Sequence, residues 1–595
     1  MGRNAIKNDE LLKKSSRKRI AGWLASYLKP YKLKVVLVIG LMLVVMVCNL
    51  MNPYFLEIAI DKYIEQGNIK ALIAIAAVMI GANLISMMAS RKRILMMAQV
   101  TNDILVKIRH ELYCHIQKLS FSFFDNRPVG KILARVIGDV NALQELFTNS
   151  VTSFIPEIMT LVCVTLVMFT MNYRLAAAAV IIVPILGLSM YFVEIKSRKR
   201  WLAYRQKRSN VNAYTHEDFS GIRVVQAFAE EEKTQKTFNG MVKEMTDAFV
   251  SAVKLNDLFW PMVDLSSGIG TIAVYWYSTR LIGVGELTVG TLVAFTMYIG
   301  MFWRPLSNIA GFYNTLITNF AAAERICDIL DVKPQVYDMD NALNMPKIKG
   351  SVEFNDVTFG YEDGTIVLDK VSFKVRPGET IALVGETGAG KTTIVNLLSR
   401  FYDPNSGRIL IDDMDIKDCE LESVRSQMGI MLQDTFLFST TIMENIRYGR
   451  LDATDEEVMA AAKAVSAHEF IVNLEDGYNT EVNERGSRLS VGQRQLISFA
   501  RALLANPRIL ILDEATSNID TTTEVLVQKG IKRLLAGRTS FVIAHRLSTI
   551  RDCDRIMVVD DGKIRESGNH NQLMDRKGIY YDLYMSQYKF LNEGA

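Results

Sequence analysis

The first half of the chain carries long apolar runs, whereas the second half alternates short apolar segments with polar turns and glycines. Of the 595 residues 49% are hydrophobic, and the excess lies before about residue 310. A helix needs about 20 residues to cross the apolar core of a bilayer. Six such stretches in one half of a chain favour membrane spans over buried core helices. The predicted spans lie near residues 35–56, 71–90, 151–173, 175–195, 258–279 and 287–308.

Lysine and arginine are distributed unequally around these spans, which predicts their orientation. Ten basic residues precede the first span, but the predicted outer loops carry only Lys62, Lys70, Arg174 and Arg280. Because cytoplasmic segments are rich in Lys and Arg, we expect a cytoplasmic N-terminus, and six crossings return the C-terminus to the same side. The basic start runs directly into a full-length span, unlike a cleavable signal peptide.

Charge and cysteine content argue against several classes of protein. The 68 basic and 64 acidic residues are spread along the chain, and the net charge of +4 gives no reason to expect a nucleic-acid partner. The six cysteines form no CxxC pair. This argues against a metal site or a disulfide framework and suits a reducing compartment.

A polar segment that contains Pro334 and Pro346 divides the chain in two. It predicts a linker at 331–350 between a transmembrane domain, 1–330, and an α/β domain, 351–595.

Two connections within the membrane half are long, charged and compatible with helix, and they are expected to extend the membrane helices into the cytoplasm. Each contains a turn-like interruption, around Ser120–Pro128 and around Asn210–Glu217. We expect each bend to form a short crosswise helix that can rest on a neighbouring domain.

A glycine-rich loop follows the short apolar strand Ile381–Val384 and precedes a helical run, Thr393–Arg400. Glycines let backbone N–H groups turn inward around phosphate oxygens, and this strand–loop–helix context is what a nucleotide phosphate loop requires. Lys391 would neutralise the β- and γ-phosphates, and Thr392 would bind Mg²⁺. The residues expected to hold ATP here are Gly385, Glu386, Thr387, Gly388, Ala389, Gly390, Lys391, Thr392 and Thr393.

Two acidic residues, Asp513 and Glu514, end the apolar strand that begins at Ile509. We expect Asp513 to bind Mg²⁺, directly or through water, and Glu514 to act as the general base on the attacking water. Two acids at a strand end are ordinarily only the start of a solvated loop, so this interpretation depends on the phosphate loop.

The segment Leu489-Ser490-Val491-Gly492-Gln493 lies between the phosphate loop and the acidic pair and opens a helical run. In that order the three elements resemble the Walker A, signature and Walker B elements of the ATP-binding cassette (ABC) family. The resemblance covers about residues 18–585 and points to exporters. It implies a polytopic α-helical membrane domain of six helices with long cytoplasmic extensions, followed by an α/β P-loop nucleotide-binding domain.

The resemblance assigns further roles around the nucleotide. Gln433 is similar to the Q-loop residue that reaches Mg²⁺ or water, and His545 to the switch histidine that contacts the γ-phosphate. Tyr361 is similar to the aromatic residue that stacks on adenine. The signature residues that would contact the ATP of a partner subunit are Ser490, Gly492 and Gln493.

The resemblance also implies contacts between domains. Ser517–Asp520 resembles the D-loop, and Glu484 lies in a segment similar to the exporter X-loop, which touches a coupling helix. The two short crosswise helices resemble coupling helices, through Phe123-Phe124-Asp125 in the first and Ser220-Gly221-Ile222 in the second.

Because a signature segment acts on the ATP of another nucleotide-binding domain, and this chain has one such domain, the resemblance implies a dimer. In family heterodimers the chain with the intact Walker B glutamate carries the altered signature, and its partner carries the altered acid. This chain has Glu514 intact, but Val491 stands where the family usually has glycine. We therefore expect the catalytically competent half of a heterodimer, whose partner is a second half-transporter with a degenerate Walker B acid.

The effect of Val491 is expected to arise in two ways: valine opposes a left-handed backbone that glycine allows, and its bulk crowds the approach to phosphate. The alternatives are a homodimeric lipid flippase or multidrug exporter in which valine is tolerated, and a siderophore importer with exporter architecture.

The sequence leaves the substrate open among drugs, lipids and peptides. Four acidic residues lie within or beside spans, where ionisable groups are costly and usually face a cavity. They could attract cationic amphiphiles or pair with neighbours such as Arg304. These residues are Glu157, Glu194, Asp257 and Asp264. Without organelle-targeting features, the chain is most similar to members in the bacterial plasma membrane, where lipid surrounds it.

Overall fold

The computed structural model describes residues 17–125, 127–283, 286–361, 364–431, 435–483, 486–514, 521–544 and 550–592. The chain divides into two compact units. The helical unit contains the residues up to Ile116 and Gly130–Asp331, and the α/β unit contains Gln117–Val129 and the chain from Val332 onward. The predicted membrane domain included residues 117–129, which the structure assigns to the α/β unit instead.

The chain before Asp331 is helical almost throughout its described part. Short π-helical segments at Ala59–Ile64, Ala134–Asp139 and Ser150–Phe154 continue neighbouring α-helices without a break. The helices are α1 Arg17–Leu28, α2 Lys32–Ile58, α3 Ile69–Lys118, α4 Phe121–Asp125, α5 Val129–Leu133, α6 Val140–Asn149, α7 Ile155–Met171, α8 Tyr173–Val180, α9 Val183–Ser220, α10 Ile222–Ala227, α11 Glu231–Asn256, α12 Phe259–Gly283 and α13 Val289–Leu330.

Apolar side chains cover much of the outer surface of these helices. Leu33, Ile73 and Ile181 are between 64% and 79% exposed, which suits lipid rather than water. By length and composition four described stretches can cross a membrane: Lys18–Ile64, Ile69–Lys118, Val129–Met171 and Tyr173–Ser220. The last two predicted spans lie largely within α12 and α13, which are not among these four.

Polar residues set the ends of several helices. Asn172 adopts an extended backbone, and its side chain accepts hydrogen bonds from the N–H groups of Arg174 and Leu175 at 3.1 and 3.2 Å. It therefore ends α7 and caps α8. Thr288 caps α13 in the same way, by accepting from the N–H of Thr291 at 3.1 Å.

The bend expected around Asn210–Glu217 is wrong. Helix α9 continues to Ser220, and the chain turns at Gly221 before the short helix α10. Packing against α11 explains the difference, because Lys207 pairs with Glu244 and, within the stretch itself, the hydroxyl of Tyr214 donates to the carbonyl of Thr234 at 3.4 Å. These contacts outweigh the weak preference of asparagine for turns.

The α/β unit contains two sheets. The antiparallel sheet has the order β2-β1-β4-β5, and the second sheet has the order β10-β9-β3-β8-β7-β6. The strands are β1 Val352–Phe359, β2 Leu368–Val375, β3 Thr380–Val384, β4 Ser406–Ile411, β5 Met414–Asp415, β6 Met428–Met431, β7 Ile509–Glu514, β8 Thr539–Ala544, β9 Arg555–Asp560 and β10 Lys563–Gly568. The helices are α14 Lys391–Leu398, α15 Leu421–Arg425, α16 Ile442–Arg447, α17 Asp455–Ala464, α18 His468–Val472, α19 Val491–Ala505, α20 Thr521–Leu535, α21 His570–Arg576 and α22 Ile579–Asn592.

The parallel part of the second sheet positions the nucleotide site. Strands β3, β7 and β8 are parallel, with Leu383 beside Ile543 and Ile543 beside Asp513. Carboxyl ends of parallel strands meet at one edge, where ligands bind in open α/β sheets. The glycine loop after β3, the acidic end of β7 and the end of β8 therefore share one edge.

Helix α4 belongs to the α/β unit because it packs on residues that follow α14. The ring of Phe121 lies 4.7 Å from that of Phe401, and the hydroxyl of Tyr402 donates to the carboxylate of Asp125. The hydroxyl of Ser120 also accepts from the N–H of Gln335 at 2.7 Å. The first crosswise helix thus rests on the nucleotide-binding unit.

Candidate nucleotide-binding site

The loop between β3 and α14 has a backbone that only glycine adopts easily. Gly385, Gly388 and Gly390 have φ values of 155°, 91° and 108°. A Cβ at Gly385 would collide with the carbonyl of Val559, and one at Gly390 would lie 2.7 Å from the side chain of Leu368. Side chains at these positions would therefore force the loop open. The glycines keep it folded tightly ahead of the N-terminus of α14, where N–H groups attract phosphate.

Lys391 begins α14 and is 8% exposed. Its ammonium group donates to the carbonyls of Gly385 and Glu386, at 2.8 and 2.7 Å. Burial lowers its pKa, and the negative charge of Asp513 opposes that shift. Neutral carbonyl oxygens thus hold the charged ammonium group over the loop. An anionic ligand would stabilise this buried charge better than water does.

Tyr361 lies at the side of the site where an adenine is expected. Its hydroxyl lies 3.1 Å from that of Thr393 and accepts from the amide of Asn396 at 3.4 Å. Phe359 and Tyr402 contact its ring edge-to-face, at centroid distances of 4.9 and 5.1 Å. Tyr361 remains 45% exposed, so its ring can still accept a stacked base.

Helix α4 is connected to Tyr361 through Tyr402. Asp125 accepts from Tyr402, and the ring of Tyr402 touches that of Tyr361. Burial, and then the hydrogen bond to Asp125, raises the pKa of Tyr402 well above its usual range. Sequence analysis missed Tyr402, since nothing local in Phe401-Tyr402-Asp403 indicates a partner 277 residues away.

Asp513 and Glu514 are the last two residues of β7. In the described part of the chain, no cluster of three or more His, Cys, Asp or Glu residues could hold a metal alone. Mg²⁺ is usually held by one or two protein oxygens together with phosphates and water. The residues present, a hydroxyl at Thr392 and a carboxylate at Asp513, are of this kind.

The signature segment forms the N-terminus of α19. The hydroxyl oxygen of Ser490 accepts from the N–H of Gln493 at 3.2 Å, and the side chain of Gln493 accepts from the N–H of Ser490 at 2.9 Å. This capping box fixes the start of the helix. It leaves the proton of the Ser490 hydroxyl available to an anion, while Gly492 is buried in the first turn.

One expectation about Val491 is wrong. Val491 is the first residue of α19 and is not among the residues with positive φ. Valine therefore adopts this backbone without strain, and glycine is not needed for conformation. The side chain is 37% exposed beside Ser490, so only its bulk at the helix N-terminus remains as a mechanism.

Several predicted positions lie outside the described residues. They are Gln433, His545, Glu484 and Ser517–Asp520. Their backbone neighbours are placed: β6 ends at Met431 just before Gln433, and β8 ends at Ala544 just before His545.

A phosphate-binding loop with a buried lysine, an acidic strand end on the same sheet edge and a preceding helical unit define a membrane-associated P-loop ATPase. Two family models match the chain: the ABC transporter transmembrane region over residues 35–306 and the ABC transporter model over residues 368–517. YknV of Bacillus subtilis (strain 168), described as an uncharacterized ABC transporter ATP-binding protein, is 44% identical over 98% of this chain and 96% of its own length.

Two further similarities extend over most of the chain. An ATP-dependent lipid A-core flippase of Syntrophus aciditrophicus (strain SB) is 38% identical, over 92% of each chain. The solved structure of a bacterial Atm1-family ABC exporter with ATP bound has a TM-score of 0.77 and 30% identity, covering 93% of this chain and 98% of the other. The chain belongs to the ABC transporter family. It has the half-transporter fold of an ABC exporter, in which a membrane-spanning domain is joined to an ATP-hydrolysing domain.

Proposed function

We propose that this chain is the catalytically competent half of a heterodimeric exporter in a bacterial plasma membrane. It would use ATP to move an amphipathic or hydrophobic substrate outward by alternating access. The similarity to a lipid A-core flippase and to an Atm1-family exporter supports an exporter of this kind. The partner would be a second half-transporter with a degenerate Walker B acid.

Each residue of the site would have a separate role at the ATP bound by this chain. The glycine loop and Lys391 would bind the phosphates, and Tyr361 would stack on the base. Thr392, Asp513 and Gln433 would hold Mg²⁺, which neutralises charge on the β- and γ-phosphate oxygens when bound. Glu514 would take a proton from the attacking water, and His545 would contact the γ-phosphate.

A single observation carries the heterodimer proposal. Val491 places a branched side chain at the N-terminus of α19, next to the Ser490 hydroxyl that would donate to the partner's ATP. In this arrangement the signature segment that this chain contributes to the partner's ATP site is weaker than the one the partner contributes in return. The ATP bound at Lys391 would be hydrolysed efficiently only when a partner supplies a better signature.

Replacing Val491 with glycine is expected to tighten the binding of the partner's ATP in the closed dimer, by about fivefold if the bulk of the valine costs about 1 kcal/mol. Hydrolysis at that nucleotide stays limited by the partner's degenerate acid. Because the backbone at 491 is ordinary helix, Val491→Ala should give most of the same gain, although alanine lacks the conformational freedom of glycine. The affinity of the two sites for a fluorescent ATP analogue is measured on the purified dimer. If neither variant changes the affinity at the partner's site or the asymmetry between the sites, Val491 has no part in the mechanism.

The direction of transport is tested in inside-out membrane vesicles. An exporter moves substrate into such vesicles when ATP is added outside, and a Lys391→Ala variant serves as the inactive control. Screening drugs, lipids and peptides would identify the class that accumulates. Accumulation in intact cells without uptake into vesicles would instead indicate an importer with exporter architecture.

A further inference from the structure

A cavity of about 330 Å³ lies within the helical unit, between α2, α3, α7 and α13 and the turn that precedes α7. Three charged side chains line it: Arg93, Glu157 and Arg304. Methionine is the commonest of the other lining residues, which include Met42, Met46, Met159 and Met301. Methionine is flexible and polarizable, so such a wall can fit apolar chains of different shapes.

The three charges come from separate helices but fall at one predicted level of the membrane. Arg93 follows the second predicted span by three residues. Glu157 directly precedes the charge-free part of the third span, and Arg304 directly follows that of the sixth. In the predicted orientation all three positions are at the cytoplasmic boundary, the level of lipid headgroups.

The cavity carries excess positive charge. The carboxylate of Glu157 accepts from the amide of Asn308 at 2.6 Å, and no ion pair among the described residues joins it to Arg93 or Arg304. The Nε of Arg93 is buried and has no hydrogen-bond partner in the described structure. A cation held near apolar surroundings without a counter-charge is costly, so an anion is the expected partner.

We propose that this cavity binds the anionic head of an amphiphile that enters from the cytoplasmic leaflet. The forked donors of Arg93 and Arg304 suit the oxygens of a phosphate or a carboxylate. The methionine-lined wall would receive the start of the apolar tail. This inference rests on the proposed function, since it names the substrate class of the exporter. It differs from both alternatives left open for Glu157, attraction of a cationic amphiphile and pairing with Arg304.

The test measures binding to the purified full-length chain, with its partner if one co-purifies, in phosphatidylcholine nanodiscs without ATP. The probes are fluorescent phosphatidic acid, a fluorescent fatty acid, and an alkyl trimethylammonium of equal chain length. Both anionic probes are expected to bind and the cationic probe to bind weakly. Inorganic phosphate alone should not displace them at matched concentrations; if it does, the site recognises free oxyanions and the amphiphile proposal is overturned.

Charge variants give effects of opposite sign. Arg93→Gln and Arg304→Gln should each weaken anionic binding about tenfold, the size expected for losing one charge-assisted hydrogen bond. Glu157→Gln should strengthen it several-fold, which no loss of folding would imitate. The matched control is Arg280→Gln, at the opposite predicted boundary, where the guanidinium lies 4.4 Å from the ring of Trp276; it should leave binding unchanged.

The outcomes separate this inference from the proposed function. Unchanged binding in both arginine variants, or a cationic probe that is lost on Glu157→Gln, overturns the inference. ATP hydrolysis is measured on the same preparations. If the wild-type protein hydrolyses ATP but binds neither anionic probe, the proposed binding site is refuted and the ATPase activity is not. If it binds the probes but does not hydrolyse ATP, the proposed function is refuted instead.

Discussion

Glu514→Gln is expected to lower the rate of ATP hydrolysis by about 10²–10⁴-fold, the usual contribution of general base catalysis. Glutamine has nearly the same size but cannot accept a proton from the attacking water. Glu514 ends β7 directly after Asp513, on the sheet edge that also carries the glycine loop. Phosphate binding should therefore survive, since the loop and Lys391 are untouched.

The measurement is steady-state phosphate release together with equilibrium binding of a fluorescent ATP analogue. The variant should bind the analogue with little change in affinity, and it should favour the closed dimer because hydrolysis no longer reopens it. Glu422→Gln, at an exposed position in the first turn of α15, is the matched control. If the Glu514→Gln dimer hydrolyses ATP at more than a tenth of the normal rate, Glu514 is not the general base.

Arg400→Met is expected to lower the free energy of unfolding by about 3–5 kcal/mol, as for other buried charged groups whose partners are left behind. Arg400 is 1% exposed and donates to the carbonyls of Cys419, Tyr337 and Lys417 at 2.6, 3.1 and 3.1 Å. Its guanidinium also lies 3.4 Å from the carboxylate of Asp403. Methionine fills similar space but leaves these acceptors unpaired.

Thermal unfolding of the full-length protein measures the effect. We expect the α/β unit to melt roughly 10 °C lower, given about 2–4 °C per kcal/mol for a unit of this size. The control is Arg565→Met, because Arg565 is exposed and its contact with Asp560 is 3.8 Å, a surface pair of little energetic value. If the two variants have the same unfolding temperature, the carbonyl contacts of Arg400 contribute little to stability.

Much of the site was predictable because its signals are local. The glycine loop, Lys391 and the strand end at Asp513 are each encoded by a few adjacent residues, and parallel strands bring them to one edge. The long apolar runs likewise predicted helices.

Other features depend on partners far along the chain. The bend expected near Asn210 is absent because α11 packs along α9. Helix α4 joins the α/β unit through Phe401 and Tyr402, which no spacing rule connects to Asp125.

The role assigned to Val491 changed for a different reason. The sequence analysis associated glycine at this position with a left-handed backbone, but Val491 lies in helix α19 and is not among the residues with positive φ. Similarly, the sequence left open whether Glu157 attracts cations or pairs with Arg304, whereas the structure places it in a cavity with two arginines. Net charge in a cavity is a property of several helices together.

The measurement that tests the central claim most directly is the oligomeric state and ATP hydrolysis of this chain purified alone in nanodiscs. The account predicts that the chain alone forms no fully active dimer, and that adding a half-transporter with a glycine-containing signature restores hydrolysis that depends on Glu514. A stable homodimer of this chain alone, hydrolysing ATP at the full rate with Val491 in place, would contradict it.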